Sequence, residues 1–310
     1  MELKYEEGIK IRIDKFLKEK IGISRERVKK LIEEGKILLN NKKVEPSYLL
    51  KKNDIIKIIE EEIKKEEVIK PEKGEIDIIY EDDDIVVVNK PSGILTHPTS
   101  HIKTGTLINF LLYHTKLSNI GLPYRPGVVH RLDKETSGVI VFAKNDFSYW
   151  SLIEQFKNRI VKKEYYAIVE GKFPENKKIV EFKVAPDREN PTKMKVHFLK
   201  GKDALTEIEV EKYIGNLTLL KIKPITGRTH QIRLTLSYLG YPVLGDEKYG
   251  KKSDLIKRLA LHSYKISFLH PVGKNRVEFF APLPEDFFLL TRKNEQIIIK
   301  PYKEGKDGKY

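Results

Sequence analysis

Apolar residues recur at helical spacing near the start of the chain and at strand spacing through most of the rest. Ile13, Phe16 and Leu17 form one helical stripe. A second helix is predicted behind a Ser24 cap, with Val28, Leu31 and Ile32 inward and Gly35 ending it. Arg25, Arg27, Lys29 and Lys30 fall on its other faces. A strand over 37–39, an Asn40-Asn41 turn and a strand over 54–59 complete a small α/β module at residues 10–60. Residues 61–74 carry Lys and Glu with little apolar content and read as a charged linker. Runs at 76–80 and 85–89 flank Asp82, Asp83 and Asp84 and predict a hairpin. No ligand spacing flanks these three Asp, so they read as a solvated turn.

Farther on, Asp146–Lys157 is predicted as a helix capped by Asp146 and burying Trp150, Ile153 and Phe156. The chain then alternates in strand fashion to about residue 223. Thr229 is the expected cap of a last helix that Gly240 ends. Ile232, Leu236 and Leu239 share one face of it, and Arg233, His230 and Ser237 another. Residues 293–310 are Lys-rich and read as a loosely held basic tail. The fold class expected is α+β. Residues 75–292 should form a mixed, mainly antiparallel sheet with flanking helices, joined to the small N-terminal module.

A length of 310 residues with 40% hydrophobic content suits one large domain plus a small one. No run of 18 apolar residues occurs, and the charged start does not read as a signal peptide, so no membrane association is expected. Without cysteine there is no disulfide, no Cys-ligated zinc and no thiol catalysis. That fits a reducing compartment, and the cytoplasm is the expected location. The formal net charge of +14 points to a phosphate-bearing partner. A generally Lys-rich proteome would also raise it, and 47 Lys stand against 12 Arg. The same bias toward Lys, Glu and Ile fits thermophily or an AT-rich genome. Against it, a retained Arg suggests a need for the planar guanidinium.

The chemistry concentrates in three segments. His130-Arg131-Leu132-Asp133-Lys134-Glu135-Thr136-Ser137-Gly138 lies between apolar runs at 127–129 and 139–143 and reads as a loop between strands. Thr and Ser hydroxyls can bond the loop's own backbone, and Gly138 permits φ > 0 where the chain re-enters the sheet. Asp133 would then be held in one place. The second segment, Lys163-Glu164-Tyr165-Tyr166-Ala167, opens a strand that puts Tyr165 and Tyr166 on opposite faces. The third is Thr226-Gly227-Arg228-Thr229-His230-Gln231-Ile232-Arg233. Asn89-Lys90-Pro91 with Gly93 and His97-Pro98 makes a further shaped turn, in which Lys90 and His97 either face phosphate or only form the loop.

The first segment resembles the H-R-L-D-x-x-T-S-G signature of the RluA/RluD family of RNA pseudouridine synthases. The second and third resemble its K-x-Y-x-A and T-G-R-T-H-Q-I-R patterns, as do Leu244-Gly245-Asp246-x-x-Tyr249-Gly250, Leu261-His262 and His270-Pro271. Residues 10–60, with I-R-I-D-K-F-L at the start and G-K-I-L-L-N in the middle, resemble an S4 RNA-binding domain. The resemblance implies an isomerase that turns uridine in RNA into pseudouridine. It makes Asp133 the catalytic carboxylate, places Tyr165 beside it and Arg233 as its ion-pair partner, and holds the carboxylate charged against desolvation, bidentately. Arg131, Arg228, His130 and Leu261 are expected to bind substrate, and Arg25, Arg27, Lys29 and Lys30 to grip RNA. Asp133 would attack C1′, attack uracil C6, or act as a base at C2′. Arg131 would fill the space the base vacates or hold phosphate.

No redox change occurs and no outside atom enters, so no cofactor and no metal is called for. Large-subunit ribosomal RNA or a pre-ribosomal particle is the expected partner of a monomeric enzyme. One rival is an S4-bearing ribosome-assembly protein with an inactive enzyme domain, which leaves the Asp133, Tyr165 and Arg233 matches without a reason. Another is a glycosidase or nuclease with paired carboxylates, for which only the adjacent Glu135 offers a second acid.

Overall fold

The structure is a computed structural model that describes residues 1–6, 11–21, 25–59, 69–99 and 101–292. The expected Ser24 cap, most of the expected linker and the basic tail lie outside the described residues. In the N-terminal unit, helices α1 (Ile13–Ile21) and α2 (Arg25–Glu33) precede strands β2 (Ile37–Leu39) and β3 (Ile55–Ile58). All six predicted stripe residues are buried in one core with Ile37, Leu39, Ile56 and Ile58. Gly35 ends α2 at φ +72°, and Asn40 and Asn41 take positive φ in the turn. Strand β1 (Glu2–Lys4) pairs antiparallel with β3. Its three residues are too few to show a period, so the sequence does not announce it.

The larger unit is a ten-stranded sheet. Its strands are β4 (Asp77–Glu81), β5 (Ile85–Lys90), β6 (Ser137–Ala143), β7 (Lys162–Glu170), β8 (Lys177–Pro186), β9 (Met194–His197), β10 (Lys202–Ile214), β11 (Leu217–Pro224), β12 (Leu261–Leu269) and β13 (Arg276–Phe280). They run in the order β4-β5-β6-β12-β7-β11-β10-β8-β9, with β13 on β12. All pairings are antiparallel except β6 with β12. Strand β12 pairs with β6 at His262 and Ser263 and with β13 from Lys265 onward, while its other edge carries β7. The apolar run of β5 is covered on both faces. Val86 and Val88 pack with Leu107, Ile108 and Leu111 of helix α3 (Leu107–His114), and Ile85 and Val87 pack with Leu152 of helix α4 (Asp146–Lys157). Helices α5 (Gln231–Tyr238) and α6 (Glu285–Arg292) complete the unit.

Four local expectations are corrected. The α4 cap is Asn145, whose side chain accepts from the Ser148 amide, while Asp146 accepts from the Ser118 hydroxyl. Trp150 is 60% exposed, because the buried stripe is Ser148, Leu152 and Gln155, at i, i+4 and i+7. Residues 69–74 are no spacer. Ile69 is buried, Glu72 N–H donates to Asn109 O, and Gly74 lies so close to Phe110 that a Cβ would come within 2.4 Å of the ring. Lastly, α5 is capped by His230 in the left-handed region, not by Thr229. The Gln231 side chain ties the turn instead, accepting from Arg228 N–H and the Thr226 hydroxyl and donating to Leu205 O and Thr206.

Candidate active site

The loop before β6 is held from four sides. His130 accepts the Val141 N–H at 3.1 Å and stacks on Phe156 at 4.7 Å. Burial, with the Lys163 charge adding to it, pushes this imidazole down to about 3, so it remains a neutral acceptor. Leu132 is buried, and the Thr96 hydroxyl donates to its carbonyl at 2.9 Å. Lys90 has no exposure at all. Its ammonium donates to the carbonyls of Pro91, Ile94 and Lys134, which stand in for water, and burial lowers it to about 7. Lys90 therefore shapes the loop and does not face phosphate. His97 is likewise buried on Pro98 O.

At the far end Gly138 takes φ +111° with its Cα against β12. A Cβ there would lie 2.1 Å from the Ser263 carbonyl oxygen. The Ser137 hydroxyl does not bond its own loop, as expected from sequence, but donates to His262 Nδ1, whose Nε2 donates to Ala281 O. What remains between these anchors is Asp133, with a side chain 19% exposed.

Arg233 reaches Asp133 through Nη1 at 3.6 Å, yet its principal partner is another carboxylate. Nε and Nη2 grip Asp246 at 2.8 and 2.7 Å, and Asp246 also accepts from the amides of Lys248 and Tyr249. The bidentate pair expected with Asp133 is thus made with Asp246. Its side chain is wholly buried and gains most from the fork. Burial pushes Asp246 up, but the Arg233 hydrogen bonds and charge outweigh it and hold the carboxyl below its ordinary value. One guanidinium therefore serves two carboxylates, Asp246 at hydrogen-bond distance and Asp133 at 3.6 Å.

The predicted Arg233, His230 and Ser237 face does converge, on Tyr249. The guanidinium lies over its ring at 5.3 Å, Ser237 donates to its carbonyl, and its hydroxyl meets His230 Nδ1 at 2.9 Å. Met194 N–H also donates to that hydroxyl. His230 Nε2 lies 3.9 Å from Asp133.

Asp133, His230 and Arg233 line a cleft of about 550 Å³, with Asp246 and Tyr249 behind them. Tyr165 and Leu261 form part of its wall, while Tyr166, on the opposite face of β7, packs against Tyr264. Burial, with the charge of Asp133 adding and a Ser263 hydrogen bond opposing, pushes the Tyr165 phenol up to about 12. At neutral pH it is a protonated stacking surface and proton donor. Arg131, Lys157, Arg159, Lys163, Arg228 and Arg233 also line the cleft, and Asp133 is its sole carboxylate among the described residues. Glu135 lies outside it, beside Lys134, which removes the paired acid a glycosidase would need. Arg228 is tethered through Nε to Asp203 O.

The sequence did not assign roles to Asp246, Tyr249, His230 or Lys163. The Leu244-Gly245-Asp246-x-x-Tyr249 match was the available signal for Asp246 and Tyr249, and the K-x-Y-x-A and T-G-R-T-H-Q-I-R matches for Lys163 and His230. Outside the cleft, Arg25 is engaged by Asp14 at 2.8 Å, and Lys29 and Lys30 stand 3.5 and 3.7 Å from Glu33 and Glu34. Asp82, Asp84 and His270 gather at the β4–β5 turn. Asp82 there accepts from two amides, the Tyr80 hydroxyl and His270, so it closes a turn, though not a freely solvated one.

The profile of the family described as RNA pseudouridylate synthase matches residues 84–238, and that of the S4 domain matches residues 11–56. The chain is 38% identical over 289 residues to "Uncharacterized RNA pseudouridine synthase YlyB" of Bacillus subtilis, covering 91% of this chain and 95% of that one. It is 41% identical over 248 residues to "Ribosomal large subunit pseudouridine synthase D" of Borreliella burgdorferi, covering 78% and 76%. Among solved structures, human RNA pseudouridylate synthase domain containing 1 superposes with a TM-score of 0.56 at 28% identity, covering 69% of this chain and 86% of that one. No helix among the described residues is long and apolar enough to cross a membrane.

Proposed function

This chain belongs to the RNA pseudouridine synthase family and carries an N-terminal S4 domain, and from that membership we propose that it isomerises specific uridines of large-subunit ribosomal RNA through Asp133. The observation that carries the site assignment is a single carboxylate in a cleft lined by six cations. Such a cleft attracts a polyanion and offers it one negatively charged reactive group. The Borreliella relative's name supports ribosomal RNA as the target. The reading takes the enzyme as a monomer, since one chain supplies Asp133, Tyr165 and all six cations.

The reaction breaks the N1–C1′ bond, turns the uracil and joins C5 to C1′. A proton leaves C5 and one arrives on N1, so atoms balance without a co-reactant. The uridine must first leave its stack, at a cost of a few kcal/mol that contacts in the cleft offset. Tyr165 offers the base a ring to stack on and a phenolic proton. Asp133 supplies the carboxylate for the bond exchange at the sugar or the base, and Arg233 and His230 fix its direction. Pseudouridine profiling of RNA from cells with and without this protein tests the reading. Loss of specific large-subunit sites is expected, and loss confined to transfer RNA would overturn the target.

Removing residues 1–60 should leave the catalytic unit folded, because its core draws on residues from Ile69 onward. RNA binding should weaken, and the slope of log affinity against log salt should flatten by roughly 0.7–0.9 per lost phosphate contact. Titrations at three salt concentrations measure this, and an unchanged slope would remove the S4 unit from RNA binding.

A further inference from the structure

Several half-buried lysines on or beside the sheet face a carboxylate. Lys144 pairs with Glu81, Lys221 with Glu211 and Lys265 with Glu278, each within 3 Å. Lys90, wholly buried, has three carbonyls. Lys163 has neither. Its ammonium lines the catalytic cleft with one long contact, 3.4 Å to Thr226 O, and no carboxylate within 4 Å among the described residues. It stands two positions before Tyr165 on β7, hence on the same face of the strand and about 7 Å along it. His130, Phe156 and Lys157 line the cleft at that end, whereas Arg233 and His230 crowd the Asp133 end.

An ammonium half-buried in the cleft wall with two N–H donors left over is a site prepared for an anion that arrives from outside. We propose that Lys163 binds a phosphodiester oxygen of the RNA backbone adjoining the target uridine, fixing the flipped nucleotide so that its sugar meets Asp133. The inference rests on the RNA reading above. A base stacked on Tyr165 carries its sugar–phosphate chain to one side, and Lys163 stands to that side along the strand. Phosphate suits the group better than a uracil carbonyl, because the unmatched feature of Lys163 is a full charge. The turn at Gly227 runs beside the ammonium, where a Cβ would make an ordinary contact at 3.6 Å.

Burial alone lowers the Lys163 ammonium to about 8. Below that pH the cation is present and phosphate binding is complete. As pH rises through about 8 the charge is lost, and KM should rise while kcat is little affected. In Lys163→Met this alkaline limb of 1/KM should vanish. Because the cation is half-buried without a carboxylate partner, Lys163→Met should also melt no lower than wild type, and Lys163→Arg should retain most of the affinity.

The decisive test uses a short RNA hairpin bearing a uridine mapped by profiling, with a neutral methylphosphonate replacing the phosphate 5′ or 3′ to it. Wild-type turnover of the unmodified hairpin tests the underlying reading separately. Given that turnover, Lys163→Met should raise KM about 10- to 100-fold. One methylphosphonate should raise the wild-type KM by a similar factor while adding less than about threefold in the variant. An unchanged KM in Lys163→Met, or full additivity at both phosphates, would overturn the proposal. A lowered melting temperature in both variants would assign Lys163 to the fold instead.

Discussion

Asp133→Asn is expected to abolish pseudouridine formation while leaving the melting temperature and RNA affinity near wild type. The substitution keeps the shape of the side chain and removes the charge. Loss of an essential acid–base or nucleophilic group lowers turnover by about 10²–10⁴-fold or to background. The fold should hardly register it. Arg233 keeps its short bonds to Asp246, so no cation is stranded, and its contact to Asp133 is the longer one, at 3.6 Å. Mass-spectrometric detection of pseudouridine with purified protein checks this. Turnover by the Asn variant above trace contamination would mean that the reaction uses another group.

Arg233→Ala should damage the fold more than any change at Asp133. It leaves Asp246 buried with no cation, and breaking such a pair costs about 3–5 kcal/mol. For a domain of this size that lowers the melting temperature by roughly 6–20 °C. The pH dependence carries a sign. Asp246 has a folded-state pKa below its unfolded value, so the pair stabilises the native state above about pH 4, the unfolded value for Asp. That contribution is lost as pH falls through the lower, folded value. The gap between wild type and Arg233→Ala should therefore narrow in acid. Activity should fall too, since the remaining neighbour of Asp133 is His230, which burial holds below its ordinary value and largely neutral. Arg233→Lys restores charge without the fork and should fall between the two. Melting curves at pH 7 and pH 3.5 decide the matter, and equal melting temperatures for wild type and Arg233→Ala at pH 7 would contradict the buried pair.

Periodicity made much of this legible. Stripes such as Ile13, Phe16 and Leu17, the β4–β5 hairpin and the opposed faces of Tyr165 and Tyr166 follow from short-range geometry, which the sequence records directly. The face carrying Arg233, His230 and Ser237 was legible for the same reason. Its true partner was not. Helical spacing says where a guanidinium points, but two carboxylates compete for it, and the competition is settled by burial of Asp246 against a segment 13 residues away. Lys90 kept two readings open for a related reason. A lysine beside a Pro-Gly turn looks solvent-facing until three carbonyls from two loops are found around it. Trp150 was misread because helix α4 buries a narrow stripe led by Leu152, which does not include the largest ring.

The parallel seam between β6 and β12 also sets an order of events during folding. Ser137 meets His262 across 125 residues, and Gly138 rests on Ser263, so the end of the Asp133 loop that enters β6 lacks its β12 anchor until that strand has been made. Contacts of that sequence separation form late, because long loops must close first. The S4 unit, by contrast, completes its core between Tyr5 and Ile58. A growing chain thus folds its N-terminal unit before β12 is available to close the reactive centre, which separates recognition from reaction in time.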